Sequence, residues 1–350
     1  MRKSTAVWFV IGGVLILVGA TIFCTVMSIL NWNFLALDTN KYETNVYESD
    51  ESVGDVKMDL TTADVTFLAS EDGKIKVVCY ENSKNKHSVR VKNGVLSIGN
   101  NDLRKWYNYI GINFDSPKVT VYLPSNNGFG LEMNITTGDV KIAKEFKLFD
   151  VDIHASTGDV ECLAYSAKNI KIEGTTGDVK IAGTEAKSVE IKVTTASCSL
   201  ENVKLERVKM VCGTGNITLN NVAVESFASL HTSSGDIAMK ELTVGESTYI
   251  HTTTGDVKFK GGFGAELSVE ATTGDVMFDN FDANKMDIKT TTGSVTGILR
   301  TSKHFMVNTT TGDVNVEKYW RGYECNVRTT TGDVSIECLA IDEDGPHWRE

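Results

Sequence analysis

Proline is scarce in this sequence, with 3 residues among 350, whereas glycine is common at 30. A chain with little proline and much glycine, threonine and valine favours many short strands joined by tight turns. An excess of positive charge is also lacking, since the formal net charge is −11. A phosphate-binding protein needs a basic face, so this charge argues against a nucleic-acid partner.

Recognisable catalytic and cofactor motifs are lacking as well. The sequence contains no G-x-S-x-G motif, no P-loop and no Rossmann fingerprint. Its cysteines include no C-x-x-C pair, so a zinc site is not expected. We therefore predict a protein that is not an enzyme, with no catalytic residues and no cofactor.

A long apolar segment lies near the N-terminus. Arg2 and Lys3 precede Ala6–Leu30, which contains no charged residue. A bilayer core of about 30 Å needs ~20 apolar helical residues, whereas the apolar region of a cleaved signal peptide has only ~7–15. The segment therefore predicts a transmembrane helix over residues 6–30. Cys24 is not expected to carry a lipid, because the bulky Phe23 stands where a bacterial lipobox has a small residue.

The two basic residues before this helix favour an N-terminus in the cytoplasm. Residues 1–5 are then cytoplasmic, residues 31–43 form a linker, and the remaining chain is an ectodomain outside the cell membrane. An acidic ectodomain would attract cations, cationic peptides or basic partners, and salt would screen that attraction.

The rest of the sequence repeats a Gly-Asp-Val or Gly-Asp-Ile motif at intervals of 19 or 20 residues. The turn glycines of the repeats are Gly138, Gly158, Gly177, Gly215, Gly235, Gly255, Gly274, Gly293, Gly312 and Gly332. Alanine stands at this position at Ala196, and Thr61 to Val65 resembles an earlier, isolated copy. Such a constant period is typical of a solenoid whose coils stack like on like.

Apolar and polar residues alternate on both sides of each turn. In the repeat of Gly255, Ile250, Val257 and Phe259 are apolar, and Lys258 between the last two is polar. This period of two predicts strands with one face inward. Glycine as the third residue of Thr-Thr-Gly-Asp predicts a positive φ there, so Ala196 should have a different turn or strain. A third inward contact is expected about seven residues after the turn, at Val203, Val222, Leu242, Phe281 and Tyr319.

We predict an all-β fold, a β-solenoid of about 11–12 single-stranded coils, preceded by the transmembrane helix. A hairpin meander is the structural alternative, although the fixed period favours stacked coils. Residues 44–130 are expected to form an N-terminal β cap and the first coil or coils, with a hairpin at Asn93-Gly94 and an irregular loop around Asn100–Ile110. The repeats then occupy residues 131–340, and residues 341–350 form a C-terminal tail.

Six cysteines lie beyond the predicted membrane segment, and an even number permits disulfides in an oxidising compartment. Most of them stand where other repeats carry valine, isoleucine or leucine. We therefore interpret them as small core residues, and the sequence leaves their disulfide state open.

These features together resemble a known bacterial family. The membrane segment, the Thr61-Thr62-Ala63-Asp64-Val65 start, the strand from Lys118 to Pro124 and the Thr-Thr-Gly-Asp-Val repeats are similar to the β-strand-repeat family of unknown function labelled "putative adhesin". The resemblance covers roughly residues 50–340. It implies an envelope-exposed, adhesin-like role without defined catalytic residues, and some members of the family lie in envelope-stress operons.

The aspartates after the turn glycines form the clearest candidate site. The candidates are Asp139, Asp159, Asp178, Asp236, Asp256, Asp275, Asp313 and Asp333. Like charges about 5 Å apart repel by roughly 1 kcal/mol even in water, so turn hydrogen bonds, lysines or a cation should offset the repulsion. We favour hydrogen bonds of the turn, and calcium bound by stacked carboxylates is the alternative.

Two further rows of side chains carry functional hypotheses. The threonine pairs of the turns could form an ice-binding hydroxyl face, although β-branched residues also suit a solenoid. His154, His231 and His251 stand at the same outward position of their repeats, four residues before the turn glycine. His231 and His251 should be neighbours, and such a pair could bind a metal or sense pH. An ordinary solvated face is the preferred interpretation.

The sequence therefore predicts an interaction or scaffold module at the bacterial envelope, which is linked to envelope stress by the family resemblance. Its partner would be a protein, a cell-wall polymer or a cationic peptide. A carbohydrate-active β-helix enzyme is one alternative, although no repeat carries a long insertion that could build a cleft. A structural rod, stabilised by calcium or stacked end to end, is the other.

Overall fold

The structure, a computed structural model, describes residues 3–33, 41–83, 85–102, 116–317 and 322–340. One helix precedes strands that all belong to a continuous 24-stranded sheet. The sheet winds into a β-solenoid of about ten turns, so the predicted all-β solenoid is confirmed.

The helix, α1, spans Lys3–Ile29. Its segment Trp8–Ile29 has 22 residues and a mean hydropathy of 2.5. The large side chains of Trp8, Phe9 and Ile16 are 71%, 71% and 73% exposed. By length and composition the helix is a candidate for a membrane span, as the sequence predicts.

Seven strands form the N-terminal part of the sheet. They are β1 (Tyr42–Ser49), β2 (Asp55–Thr62), β3 (Asp64–Ala69), β4 (Ile75–Asn82), β5 (Asn85–Lys92), β6 (Val95–Asp102) and β7 (Lys118–Leu123). The first repeats follow as pairs of strands, one on each side of the turn, and end with β14. These strands are β8 (Phe129–Thr137), β9 (Val140–Ile142), β10 (Leu148–Thr157), β11 (Val160–Cys162), β12 (Ser166–Thr176), β13 (Val179–Ala182) and β14 (Glu185–Thr195).

In the middle repeats the strands run on from one turn to the next. They are β15 (Cys198–Thr214), β16 (Ile217–Ser234), β17 (Ile237–Thr254), β18 (Val257–Thr273) and β19 (Val276–Thr292). Shorter strands complete the chain. They are β20 (Val295–Thr301), β21 (Lys303–Thr311), β22 (Val314–Val316), β23 (Tyr323–Thr331) and β24 (Val334–Ala340).

The core is a stack of identical positions from successive coils. The residues five before each turn lie side by side in parallel register. This row begins with Met133, Ile153, Ile172, Ile191 and Met210. Each of these side chains is at most 1% exposed. Apolar burial drives this arrangement, because the period of two turns every second side chain of a strand away from water.

The turn glycines have φ between +125° and +153°, as the sequence predicts. Stacking of the coils is a second reason why the turn requires glycine, since a Cβ on Gly255 would lie 2.1 Å from the carbonyl oxygen of Gly235 in the preceding coil. Ala196 is not among the residues with positive φ, so the turn there has a different conformation. The expectation that the turn at Ala196 differs from the others is thus confirmed.

A second corner follows six residues after the turn. Its residues have φ between +51° and +69° and are Gly183, Asn202, Asn221, Glu241, Gly261 and Asn280. This corner directs a third segment inward, where Val203, Val222, Leu242 and Phe281 are at most 2% exposed. The predicted third inward contact is thus confirmed at these four positions, and Tyr319 lies outside the described residues.

The last two coils are exchanged relative to chain order. Strand β23 lies between β19 and β21, and β24 lies between β20 and β22. Gly332 is therefore stacked between Gly293 and Gly312. As a result Val334 is fully buried, whereas Val314 in the outermost coil is 48% exposed. The sequence did not indicate this exchange.

The N-terminal strands cover the other end of the solenoid. The coil of β2 and β3 is stacked against β8 and β9 on one side and against β6 and β7 on the other. Strand β5 pairs antiparallel with β6 and so extends the layer that contains β2 and β6. Strands β4 and β1 extend the layer that contains β3 and β7, beyond β7. Asn93 and Gly94, with φ of +54° and +75°, confirm the predicted hairpin. The predicted loop around residues 100–110 lies mostly outside the described residues, and the tail 341–350 lies wholly outside them.

The cysteines are mainly core residues, as predicted. Cys79, Cys162, Cys198, Cys212 and Cys325 are buried, and Cys338 is half-buried. Burial raises the pKa of Cys162 to about 11 and that of Cys325 to about 12, so both thiols are protonated at neutral pH.

Candidate interaction surface

The turn aspartates form a hydrogen-bonded ladder along one edge of the solenoid. The Asp159 N–H donates to Asp139 Oδ1 at 2.9 Å, and the Asp178 N–H donates to Asp159 Oδ1 at 2.8 Å. Asp236 and Asp256 accept in the same way from the next coils, at 2.9 Å and 3.0 Å. Each carboxylate therefore satisfies a backbone donor of its neighbour, which offsets the repulsion between like charges.

Ion pairing adds to the ladder in its middle section. Lys258 Nζ lies 3.0 Å from Asp256 Oδ2 and 3.9 Å from Asp236 Oδ2. The hydrogen bond from the Asp275 N–H, followed by that from Lys258, lowers the pKa of Asp256. This carboxylate is ionised at neutral pH.

Metal binding by the ladder stays a prediction. Among the described residues, one group of three acidic, histidine or cysteine side chains has ligand atoms that all lie within 4.8 Å of one another, and it contains no ladder aspartate. The geometry of the ladder instead favours a structural role for the aspartates.

The threonines near the turns divide into two sets. The pair directly before each glycine is exposed, for example Thr253 and Thr254. The threonine three before the glycine is buried in four repeats, at Thr232, Thr252, Thr290 and Thr329, and half-buried at Thr309. The Thr232 hydroxyl donates to the Gly215 carbonyl of the preceding coil at 3.0 Å. The buried set therefore joins coils, and the ice-binding hypothesis for the exposed set stays a prediction.

The strand segments before the turns form a flat outward face. In the first repeats this face is covered by paired charges. Lys171 Nζ lies 3.1 Å from Glu173 Oε1 and 3.8 Å from Asp152 Oδ1, and His154 Nδ1 lies 3.2 Å from Glu173 Oε2. Exposed pairs of this kind contribute little stability, about 0–1 kcal/mol each. Their alternating signs keep this part of the face solvated.

The composition of the face changes in the coils of Gly235 and Gly255. Phe227 and Tyr249 point outward and are 39% and 37% exposed. His231 and His251 lie beside each other, with ring centroids 4.8 Å apart and planes 8° from parallel. We name Phe227, Tyr249, His231 and His251 the aromatic–histidine patch.

The positions of the histidines match the sequence prediction. His231 and His251 are neighbours, as predicted, while His154 lies in the charged section of the face. Phe227 and Tyr249 were missed. They stand eight and six residues before their turn glycines, outward positions that repeat phase alone could have identified.

Charges of opposite sign flank the patch. On the side of the preceding coil, Arg207 and Lys209 are beside Phe227 and Ser229 in the register. On the other side Glu270 accepts a hydrogen bond from the Tyr249 hydroxyl at 3.2 Å and lies 3.7 Å from His251 Nδ1. Partial burial, followed by His251, lowers the pKa of His231, so His231 is neutral at pH 7.

A groove of about 580 Å³ on another side of the solenoid contains Glu185, Glu206 and Glu225 together with Lys187 and Lys204. The Glu185 side chain is 70% exposed and lies 3.5 Å from Lys204 Nζ. Solvated, ion-paired carboxylates differ from the partly desolvated pair that glycoside hydrolysis requires. The groove therefore gives no support to an enzymatic site.

Parallel coils, a stacked glycine turn and a flat outward face define a β-solenoid repeat protein. More particularly, the chain belongs to the family described as Toastrack DUF4097, whose family model matches residues 53–242 and 228–341. The resemblance drawn from the repeats is thereby confirmed. Comparison with curated proteins found no match.

Several solved structures are similar in outline. A "putative adhesin" from Bacteroides fragilis is 15% identical, with a TM-score of 0.35, and the match covers 86% of this chain and 99% of that one. A protein named as a "putative lipid binding protein" from Parabacteroides distasonis is 11% identical, with a TM-score of 0.41 and coverage of 86% and 98%. A "putative adhesin" from Parabacteroides merdae is 12% identical, with a TM-score of 0.31 and coverage of 87% and 98%.

Proposed function

We propose that this protein is a membrane-anchored interaction module at the bacterial envelope, and that its aromatic–histidine patch binds a basic, amphipathic polypeptide. The observation that carries the proposal is the exposure of Phe227 and Tyr249 on a flat sheet face whose other outward side chains are mainly polar or charged. Aromatic side chains are enriched at the energetic centres of protein interfaces.

Helix α1 supports the anchor. It would extend about 33 Å over Trp8–Ile29 at 1.5 Å per residue, which matches a hydrocarbon core of about 30 Å. Its exposed apolar side chains would be unfavourable in water and favourable in lipid. Arg2 and Lys3 favour an N-terminus on the cytoplasmic side, which places the solenoid outside.

Charge supports the basic partner. The protein has a net charge of −11, so cationic ligands are attracted at long range. At the patch itself, Glu270 adjoins Tyr249 and His251, and an exposed aromatic ring attracts a cation through its π face. Arg207 and Lys209 on the opposite side already contact Glu206 and Glu190, at 3.2 Å and 3.0 Å. On the Glu270 side the carboxylate lies 3.9 Å from Lys289 Nζ, so an incoming basic side chain would share this carboxylate beside Tyr249 with Lys289.

This interaction would link the protein to envelope stress, since cationic amphipathic peptides are agents that damage membranes. The extended flat face would also allow many weak contacts along the solenoid, which suits a scaffold. The carbohydrate-active alternative is not favoured by the groove that contains Glu185 and Lys204, because its charged side chains are solvated and ion-paired.

A binding screen tests the proposal. The full chain is placed in zwitterionic lipid nanodiscs and titrated with a lysine–leucine amphipathic peptide of about 20 residues, with soluble peptidoglycan fragments, or with anionic vesicles. Empty nanodiscs serve as the control. We expect saturable binding of the peptide that weakens with salt. Binding of the fragments or the vesicles instead, or of no probe, would contradict the proposal.

Topology requires a separate test. A cysteine is introduced at the exposed Tyr165 in a chain that carries Cys24→Ser and Cys338→Ser, and intact cells are treated with a membrane-impermeant maleimide. Labelling of Tyr165→Cys before lysis supports an outer solenoid, and labelling only after lysis contradicts it.

A further inference from the structure

Two cysteine side chains meet inside one coil of the solenoid. Cys198 and Cys212 both belong to β15, and each is at most 1% exposed. Their Sγ atoms are 3.2 Å apart. Carbon atoms in contact lie about 3.5–4.0 Å apart, and sulfur is larger than carbon, so the two sulfurs approach more closely than ordinary packing requires.

Neighbouring coils show that the core does not need cysteine at these positions. Cys198 lies beside Val179 of the preceding coil, and Cys212 lies beside Thr232 of the following coil. A valine and a threonine therefore fit the same inward positions. This coil instead carries cysteine at both of them, and the two side chains face each other.

The pair adjoins the turn that lacks glycine. Ala196, two residues before Cys198, is 8% exposed and is not among the residues with positive φ. Its backbone N–H donates to the carbonyl oxygen of Thr214 at 2.9 Å, and Thr214 stands two residues after Cys212. The cysteines thus flank a contact between two stacked turns. A bond between them would hold the altered turn against the next one.

We infer that Cys198 and Cys212 form a disulfide. The sulfurs of a disulfide are about 2.0 Å apart, so these two atoms need to approach by only about 1 Å. The thiols lose two protons and two electrons as the bond forms. A low-molecular-weight disulfide such as oxidised glutathione accepts them and becomes two thiols. Because both sulfurs are buried, the exchange takes place while the chain folds, before the core closes around them.

The bond joins the start of β15 to its end. Its two cysteines are separated by 14 positions in the chain, and closure of a loop of this size restricts the unfolded state and so stabilises the folded one. Disulfides persist in oxidising compartments outside the cytoplasm. The presence of the bond in cells therefore rests on the proposed location of the solenoid outside the membrane.

Thiol–disulfide exchange on the full chain in detergent tests the inference. The reduced protein is equilibrated with reduced and oxidised glutathione in moderate urea, which opens the core transiently, and the urea is then removed. Free thiols are alkylated, and tryptic peptides are analysed by mass spectrometry without reduction. Trypsin cleaves after Lys204, Arg207 and Lys209, so the disulfide leaves two peptides joined. We expect this joined pair, with two of the seven cysteines protected from alkylation.

Matched variants take their residues from the neighbouring coils. Cys198→Val follows Val179 and Cys212→Thr follows Thr232, so both variants should fold. When a phosphine reduces the oxidised protein, the Tm of the wild type should fall by at least about 5 °C, and the Tm of either variant should not change. Cys162→Val, which alters a buried cysteine elsewhere, should behave as the wild type does.

Alkylation of all seven cysteines, or joined peptides that contain other cysteines, would overturn the inference. An equal fall of Tm in Cys198→Val and the wild type would overturn it as well. If a variant unfolds, the peptide map of the wild type decides.

The same peptide map of protein taken from bacterial membranes, with thiols alkylated at lysis, tests the bond in cells. Free Cys198 and Cys212 there, together with labelling of Tyr165→Cys before lysis, would overturn the bond at the envelope and leave the proposed topology intact. Labelling of Tyr165→Cys only after lysis would contradict the topology instead, and the glutathione result would still decide whether the pair forms a disulfide.

Discussion

The backbone N–H of Gly293 donates to the carbonyl oxygen of Thr331 at 3.0 Å, although the repeat of Gly312 lies between them in the chain. The final described repeat is therefore inserted between the two repeats that precede it. Val334 consequently occupies a fully buried position, and Val314, at the same phase, is 48% exposed.

Two substitutions test this exchange. Val334→Ala should destabilise the protein by roughly 1.5–3 kcal/mol, because it removes two buried methyl groups and leaves a cavity. Val314→Ala should cost less than about 0.5 kcal/mol at the exposed end. Urea unfolding monitored by circular dichroism compares them. A larger loss for Val314→Ala would show that the coils follow chain order.

A second pair of variants separates the two requirements on glycine. Gly255→Ala places a Cβ 2.1 Å from the Gly235 carbonyl oxygen and should destabilise by at least about 3 kcal/mol. Gly183, with φ of +69°, has no atom within 4 Å of the position that an added methyl group would occupy, so Gly183→Ala should cost only about 1–2 kcal/mol. Similar losses of Tm for the two variants would mean that stacking does not constrain the turn.

We expect the aspartate ladder to be stabilised by its hydrogen-bond acceptors and not by its negative charge. Asp159→Asn keeps an oxygen that can accept from the Asp178 N–H and removes a like charge, so stability should be unchanged or slightly higher. Asp159→Ala removes the acceptor and should cost about 0.5–1.5 kcal/mol. Asn216 already plays the acceptor role for the Asp236 N–H at 2.9 Å. Equal stability of the alanine and asparagine variants in thermal melts would refute this account of the ladder.

The histidine pair gives the protein a dependence on pH. The pKa of His231 is lower in the folded than in the unfolded state, through partial burial and the neighbouring His251. The unfolded state then binds more protons as the pH falls below about 6.5, so the contribution of His231 to stability is lost in that window. Glu270 faces His251 and moderates the effect.

Thermal melts at about pH 7.5 and about pH 5 measure this contribution. The loss of Tm on acidification should be smaller in His231→Gln than in the wild type. An unchanged loss in His231→Gln would show that His231 does not carry the effect.

The sequence was sufficient to predict the structure of a single coil, but not the order in which the last coils stack. Inward rows such as Ile250 and Val257 follow from a period of two, and Gly255 follows from the constant spacing of the turns. Val314 and Val334 share one phase, so no pattern indicates which of them is stacked inside. Stacking order depends on connections that repeat phase does not describe.

The candidate sites show the same limit. Repeat phase placed His231 beside His251, because both lie four residues before a turn glycine. Cys198 and Cys212 fall on inward positions of one coil, but repeat phase does not show that their sulfurs lie 3.2 Å apart. Their proximity depends on how successive turns stack, which no local spacing reveals.

The central claim concerns the patch, and the affinity of the full chain in zwitterionic nanodiscs for the lysine–leucine peptide tests it most directly. Truncation of an interface tyrosine at an energetic centre costs more than about 1 kcal/mol, so Tyr249→Ala should weaken binding at least about fivefold. Tyr165→Ala, which removes a tyrosine that is 50% exposed elsewhere on the solenoid, should bind as the wild type does. Equal affinity of Tyr249→Ala and the wild type, with both folded, would contradict the assignment of the patch as the binding surface.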